Sequence, residues 1–227
     1  MKCSWLPSLL LCVVMASPAG AQEPETLRYR WSLGGFFGTL ARIVMPGRGD
    51  GTLVTRSDGS GTTEVELDIT APTAKRGEYW HYGARINAAD GRTLRAWSAY
   101  EFRGKKSSKE SDFDDEAVID VASGILLLRR DPPTAPRNMK IWNDGKIYPI
   151  VILPRGLVKR TVLGRKVAVR HFAIRARRVP NERLWKGRMD IFLAEDEAAT
   201  PVEISVERRM IRVRLMLLEE DDDDDDD

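Results

Sequence analysis

The strongest constraint on the fold is the alternation of apolar and polar side chains in residues 189–218. Apolar residues recur there at every second position, which is the period of a β-strand with one buried and one solvated face. Burying one aliphatic side chain stabilises a fold by roughly 1.5 to 3 kcal/mol, so these rows must face a common core. The segment therefore predicts three consecutive strands, whose apolar rows are Met189, Ile191 and Leu193; Val202, Ile204 and Val206; and Ile211, Val213, Leu215 and Leu217.

The same period recurs along most of the chain. Strands are predicted at residues 27–33 with a continuation at 40–45, and at residues 65–69, 80–86, 94–102, 141–153 and 158–179. Turns are predicted at residues 46–51, 90–91, 143–145, 154–156 and 163–165, where Gly, Pro, Asn and Asp cluster. This pattern predicts a mainly β protein.

One segment has helical periodicity instead. Five apolar residues of the segment 117–128 fall on one helical face, and Pro132 follows shortly after its end. Four acidic residues precede it, where negative charge is favourable at a helix N-terminus: Asp112, Asp114, Asp115 and Glu116. This cluster lacks the glycine and terminal glutamate of a calcium loop. The Lys- and Ser-rich residues 104–111 are predicted to form a loop. The helical face consists of Val118, Val121, Ala122, Ile125 and Leu126.

Residues 1–21 have the composition of a secretory signal peptide. A positive start is followed by an apolar run, and the small residues 19–21 form a cleavage site. Both cysteines of the chain, Cys3 and Cys12, lie in this leader. We therefore expect a periplasmic mature chain without disulfides or thiol chemistry.

Charge divides the rest of the chain into two parts. The formal net charge is +2, yet residues 219–227 are all acidic, which leaves a basic body. Residues 22–218 are predicted to be a single β-rich domain and residues 219–227 a disordered tail. An alternative is that the tail folds over a basic surface and competes with an anionic ligand. No segment after the leader approaches the length of about 20 apolar residues that a membrane-spanning helix needs.

The sequence contains no recognised catalytic motif. It lacks a Gly-x-Ser-x-Gly elbow and a glycine-rich phosphate loop after a strand. Its two histidines, His81 and His171, have no carboxylate or nucleophile at a fixed offset, so each is interpreted as structural, with a general base as the alternative for His81. Paired carboxylates of the glycosidase type stay open, because sequence does not reveal their separation. We predict no enzymatic activity, no cofactor and no metal site.

Four short motifs are spread over the chain: residues 29–35, residues 120–129, residues 162–166, and the ending at residues 186–193, 196 and 201–204. Together they resemble a family of exported bacterial proteins, domain of unknown function number 3108. The resemblance implies a periplasmic antiparallel structure, either a single curved sheet or an incomplete β-barrel similar to lipoprotein carriers, with one helix packed on the concave side. That family often has aromatic residues in the helix where this chain has residues 125–128, and the acidic tail lies outside its pattern.

Two classes of function fit these observations. In the first, the protein is a non-enzymatic periplasmic carrier of an apolar and anionic, lipid-like ligand in cell-envelope biogenesis, with arginines at the rim of a cavity. In the second, it is an envelope scaffold or assembly factor, in which basic outer faces bind a protein or an acidic polysaccharide. We expect a monomer that binds no nucleic acid. The candidate ligand-binding residues are Trp31, Trp80, Tyr82, Ile125, Leu126, Phe172, Arg170, Arg175 and Arg177; the alternative for the apolar members is a filled core.

Overall fold

The computed structural model of the protein describes residues 23–34, 47–71, 78–102, 104–114, 117–208 and 211–218. The predicted signal peptide, the strand continuation at residues 40–45 and the acidic tail lie outside these residues. Within the described ranges, no helix combines the length and the apolar character needed to cross a membrane.

The described residues form thirteen strands and one helix, which confirms the mainly β prediction. The strands are β1 (Glu25–Gly34), β2 (Arg48–Ser57), β3 (Thr62–Ala71), β4 (Glu78–Asn87), β5 (Thr93–Phe102), β6 (Lys105–Asp112), β7 (Val118–Ile119), β8 (Arg137–Asn143), β9 (Lys146–Val162), β10 (Arg165–Ala176), β11 (Gly187–Ala194), β12 (Pro201–Arg208) and β13 (Ile211–Leu217). The helix, α1, is Val121–Arg130. The last three strands are those that the alternation predicts.

All thirteen strands belong to one sheet, in the order β6-β5-β4-β3-β2-β1-β13-β12-β11-β10-β9-β8-β7. Neighbouring strands are antiparallel except β7 and β8, which flank the helix in sequence and run parallel. The middle of the sheet joins distant parts of the chain, because β1 pairs with β13 and Tyr29 lies opposite Leu217. The sheet curves but stays unclosed, with β6 and β7 at its edges, so the predicted incomplete barrel is confirmed.

The strands of the sheet run between an upper end and a lower end. The turn at Asp144 and Gly145, between β8 and β9, lies at the upper end, where β10 finishes at Ala176 opposite Ile150. The turn at Leu163 and Gly164, between β9 and β10, lies at the lower end. Strands β1, β3 and β5 run from the lower end to the upper end.

The helix fills the concave side of the sheet, packed mainly against β3 and β4. Its N-cap, Asp120, accepts hydrogen bonds from the backbone N–H groups of Ser123 at 2.7 Å and Ala122 at 3.2 Å, and the Ser123 hydroxyl accepts one from the Asp120 N–H at 2.8 Å. Asp120 is buried, and burial raises its pKa to about 6. At the other end, Arg129 pairs with Glu25 of β1 through two hydrogen bonds of 2.7 Å. The helix is therefore fixed at both ends.

Two predictions around the helix are wrong. Residues 104–111 do not form a loop, since most of them belong to β6, which pairs with β5 along its length. As an edge strand solvated on both faces, β6 has lysines and serines in place of apolar alternation. The helix begins at Val121 and not at residue 117, because Val118 and Ile119 pair with β8 as β7. Its cap is accordingly Asp120 and not the acidic cluster of Asp112, Asp114, Asp115 and Glu116.

Two predicted turns are also wrong. Residues 154–156 lie inside β9, where the pairing with β10 steps from Leu157 opposite Arg170 to Pro154 opposite Phe172. The sequence signal there marks a bulge, which accommodates a proline and a glycine of positive φ. Residues 48–51 begin β2; Gly49 lies under the Trp31 indole, where a Cβ would come within 2.5 Å of Nε1. That glycine makes room for a core side chain and does not form a turn.

Candidate ligand-binding site

Strands β4 and β5 place three aromatic side chains on the concave face of the sheet. Trp80 lies opposite Tyr100, and Tyr82 lies opposite Ser98. Residues two apart on a strand share a face, so the three rings and the Ser98 hydroxyl face the interior together. They lie toward the upper end of the sheet, above the part of the interior that the helix fills.

These rings border a cavity of about 280 Å³, which we call the aromatic cavity. Asn143 and Asp144, at the turn between β8 and β9, form its other side. Its lining combines ring faces with hydroxyl, amide and carboxylate groups, a combination that suits an amphipathic ligand. The cavity is lined by Trp80, Tyr82, Ser98, Ala99, Tyr100, Asn143 and Asp144.

Cationic side chains are concentrated at the same end of the sheet. The connection between β10 and β11 begins beside the first residues of β9, since the Arg177 N–H donates to the Pro149 carbonyl at 3.0 Å. Residues 177–188, the basic loop, contain five exposed cations and one acid, Glu182. Trp185 anchors the loop because its side chain is buried and packs over Gly187. The five cations make no ion pair with any described residue; they are Arg177, Arg178, Arg183, Lys186 and Arg188.

A second cavity, of about 200 Å³, lies at the lower end, between the last turn of α1 and the turn that joins β4 to β5. Ile86 and Leu126 give it an apolar wall, and Arg130 lies at its border. The Arg130 guanidinium donates to the Thr63 hydroxyl at 3.1 Å. Burial, together with the neighbouring Arg129, lowers the pKa of Arg130.

The apolar candidate residues fall into three places. Trp80 and Tyr82 line the aromatic cavity, and Leu126 lines the second cavity. Trp31, Ile125 and Phe172 are buried in the main core, as the alternative interpretation of these side chains proposed. Trp31 also donates from its indole N–H to the Thr70 carbonyl at 2.7 Å, which fixes the ring between β1 and β3.

The three candidate arginines do not form a common rim. Arg175 is engaged on the convex face, where it donates to Asp190 at 2.7 Å and to the Met189 carbonyl at 2.8 Å. Arg170 is half-buried, and its Nε has no hydrogen-bond partner within the described chain. Arg177 alone of the three is exposed, and it begins the basic loop at the upper end of the sheet.

His81 lies on the convex face, opposite to its neighbours Trp80 and Tyr82. No carboxylate lies at a fixed offset from it in the sequence, but the fold brings Asp68 of β3 to 2.6 Å from its Nδ1. The hydrogen bond to Asp68 raises the pKa of His81. The Trp97 indole N–H points at Nε2 from 2.8 Å, an arrangement that requires a neutral ring. Glu66 lies 3.5 Å from the same Nε2, and the four residues form a structural network on the outside of the sheet.

His171 is held in a similar way on another part of the convex face. Its Nε2 lies 2.8 Å from Asp190, and its ring stacks on Phe192 with 4.4 Å between centroids. Burial acts to raise the pKa of Asp190, but the hydrogen bonds from Arg175 and His171 offset this and lower the pKa. In the described residues, no three His, Cys, Asp or Glu side chains are grouped as a metal site would require.

Sequence reasoning missed Tyr100, Ser98, Asn143 and Asp144 as cavity residues. Tyr100 lies in a strand that was predicted, and hairpin pairing through the turn at residues 90–91 is the signal that would place it near Trp80. That signal is imprecise, because a bulge shifts the register between Arg85 and Ile86. Asn143 and Asp144 come from a part of the chain whose position depends on the curvature of the whole sheet.

The sequence matches no family model and no curated protein. Among solved structures, the fold is similar to a beta-barrel-like protein of domain of unknown function DUF1849 from Brucella abortus, with a TM-score of 0.54 and 10% sequence identity. The similarity covers 86% of this chain and 96% of that chain. At this identity it establishes the fold alone, a β-barrel-like architecture. Membership of family number 3108 stays a prediction.

Proposed function

We propose that this protein is a non-enzymatic binding or carrier protein of the periplasm, which holds part of an amphipathic, lipid-like anion in the aromatic cavity. The observation that carries the proposal is the cavity of about 280 Å³ that Trp80, Tyr82 and Tyr100 border. Each aromatic ring that is left exposed loses roughly 1.5 to 3 kcal/mol of the free energy that its full burial would contribute. A bound ligand that covers the ring would recover this free energy.

The size of the cavity limits the ligand. Pockets that enclose a drug-sized molecule typically measure about 300 to 1,000 Å³. The aromatic cavity lies just below this range, so it suits one chain or ring of a ligand and not a complete diacyl lipid. The hydroxyl of Ser98 and the amide of Asn143 would orient a polar group at the boundary of the apolar part.

The charge at the upper end supports an anionic head group. Arg177 begins the basic loop beside β9, two strands away from the β8 end that borders the cavity. Neighbouring strands are about 4.8 Å apart, so two strand spacings amount to about 10 Å, within reach of a long arginine side chain and a ligand head group. A phosphate or carboxylate leaving the cavity would meet the cations of this loop.

Two further observations support binding without catalysis in the envelope. Both histidines are engaged with carboxylates and aromatic rings on the convex face, away from the cavity. The leader composition of residues 1–21 supports export.

The test is a calorimetric titration with octyl phosphate as the probe. Ser98→Phe, which fills the cavity, and Tyr82→Ala, which removes one wall, should each weaken binding by about tenfold or more. Tyr79→Ala is the matched control, because Tyr79 lies on the same strand but is exposed on the opposite face. Equal affinities for the wild type, Ser98→Phe and Tyr82→Ala would contradict the proposal.

The five unpaired cations of the basic loop also favour the second class, binding of an acidic polysaccharide. In that case Arg178→Gln combined with Arg183→Gln should lower affinity for a soluble polyanion such as heparin, and the lost affinity should be the salt-sensitive part. Ser98→Phe should leave polyanion binding unchanged, which distinguishes this function from ligand binding in the cavity.

A further inference from the structure

The long hairpin formed by β9 and β10 extends past the rest of the sheet. Its distal part, residues 155–170, forms an arm. Residues 165–168 of β10 continue beyond the last pairing with β11, at Val169 opposite Ala194. One side of the arm packs down on the convex face of the sheet, where Val162 and Val169 form a small core with Phe192 and Val202.

Arg160 belongs to this inward side. Its guanidinium lies over the Phe192 ring, 4.4 Å from the centroid, and its Nε is 3.4 Å from the buried carboxylate of Glu203. These contacts hold the arm against β11 and β12. The opposite side of the arm is consequently fixed in orientation and faces outward.

The outward side of the arm is cationic and partly apolar. Residues 155–170 contain no acidic residue. Lys159 and Lys166 lie on the outward face of the paired strands, whereas Arg165 lies opposite Val162, beside the tip. The exposed cations Arg155, Lys159, Arg165 and Lys166 make no ion pair in the described part of the protein. Leu157 is 59% exposed on the same side.

The tip of the arm has an unusual residue for its backbone geometry. Leu163 and Gly164 form its two-residue turn, with φ values of 51° and 72°. Positive φ at both positions is the type I′ hairpin turn, in which Asn or Asp is the usual first residue. The turn between β8 and β9 follows this rule, with Asp144 at φ 52° and Gly145 at φ 74°. A bulky side chain at positive φ is unfavourable, so Leu163 is a costly choice for this position.

Burial does not explain the leucine either. Leu163 is 42% exposed and does not belong to the small core under the arm. Asparagine at this position would suit both the backbone and the solvent better than leucine does. A leucine that suits neither the backbone geometry nor the solvent at this position points to a contact outside the folded monomer.

We propose that the outward side and tip of the arm dock on an anionic lipid bilayer. Leu163 and Leu157 insert at the level of the acyl boundary, and Arg155, Lys159, Arg165 and Lys166 meet the phosphate head groups. This combination of exposed leucines with cations free of acidic neighbours is the pattern of peripheral membrane binding. A soluble polyanion would bind the cations but would offer no apolar contact to the exposed leucine at the turn.

The test is co-sedimentation of the full chain with vesicles of phosphatidylcholine mixed with phosphatidylglycerol. Leu163→Asn should weaken binding about tenfold, since it removes the inserted side chain. The same substitution should raise the midpoint of urea unfolding, because asparagine tolerates the turn geometry. Leu184→Asn is the matched control: Leu184 is 45% exposed between Arg183 and Trp185 in the basic loop, and its replacement should leave vesicle binding unchanged.

Charge is tested separately. Lys159→Gln, Arg165→Gln and Lys166→Gln together should reduce binding to the anionic vesicles by about tenfold or more, and the wild type should bind pure phosphatidylcholine weakly. Failure of the wild type to bind anionic vesicles would overturn the proposal. So would vesicle binding that survives Leu163→Asn but is lost with the three cations, since that result would assign the arm to a polyanion.

Discussion

Trp142 of β8 donates its indole N–H to the hydroxyl of Ser111 on β6, across 3.0 Å. This hydrogen bond joins two strands that lie near opposite edges of the sheet and are not neighbours in its ladder. Trp142 is only 2% exposed, so the contact is also part of the core. Side chains, and not backbone pairing, therefore bring the two sides of this unclosed barrel together.

Ser111→Ala should destabilise the protein by about 1 to 3 kcal/mol, because it leaves the buried Trp142 N–H without its acceptor. The measurement is the free energy of unfolding in urea. Ser108→Ala is the control, since Ser108 lies on the same strand and is exposed; its effect should stay within about 0.5 kcal/mol. Equal effects of the two substitutions would show that the hydrogen bond contributes nothing.

Asp120 should make stability depend on pH in the acid range. Its pKa is raised from 3.8 to about 6 by burial, so the folded state retains a proton that the unfolded chain loses first. The resulting stabilisation is complete below about pH 4 and is lost as the pH rises from about 4 to 6, a total of about 3 kcal/mol.

Asp120→Asn removes this titration but keeps a good helix cap. The variant should be more stable than the wild type at neutral pH, and the difference should shrink as the pH falls toward 4. Urea unfolding at a series of pH values measures this directly. A variant that is less stable than the wild type at neutral pH would show that the ionised carboxylate is the better cap.

Arg214→Gln should lower the free energy of unfolding, measured in urea, by about 2 to 4 kcal/mol. Arg214 holds the buried Glu203 through two hydrogen bonds of 2.7 and 2.9 Å, so its loss leaves a buried carboxylate poorly paired. Arg212→Gln on the same strand is the control, because Arg212 pairs with the more accessible Glu207. This substitution should lower the free energy of unfolding by less than about 1 kcal/mol. Similar costs for the two variants would argue that Glu203 is better solvated than the structure indicates.

Gly83→Ala should destabilise the protein by about 1 to 3 kcal/mol. A Cβ at Gly83 would lie 2.2 Å from the Trp97 ring, so the indole must move and lose its hydrogen bond to His81. Gly34→Ala is the matched strand control, because no atom lies within 4 Å of the added Cβ. For Gly83→Ala, both the free energy of unfolding and the indole fluorescence should change. Unchanged fluorescence would mean that Trp97 does not pack on Gly83.

The strands with one buried face could be predicted from sequence because their two faces differ chemically. This holds for β3, β4 and the three last strands. Strand β6 could not be found in this way, since both of its faces are solvated and its lysines resemble those of a loop. Likewise, the proline and glycine of residues 154–156 produce the same signal at a bulge as at a turn.

The candidate site was predictable only in part. Alternation placed Trp80 and Tyr82 on one face, but it gave Trp31 the same pattern. What separates them is the neighbouring strand: Gly49 leaves room for Trp31 to pack, whereas the space beside Trp80 stays unfilled. Such differences depend on cross-strand neighbours, as does the pairing of His81 with Asp68, and periodicity along one strand does not contain them.

The most direct test of the proposed binding function is a crystal structure of the protein with octyl phosphate. We expect the alkyl chain to lie between Trp80, Tyr82 and Tyr100, with the phosphate directed toward the basic loop. An octyl phosphate bound only in the second cavity, or an aromatic cavity that stays empty at saturating concentration, would contradict the account.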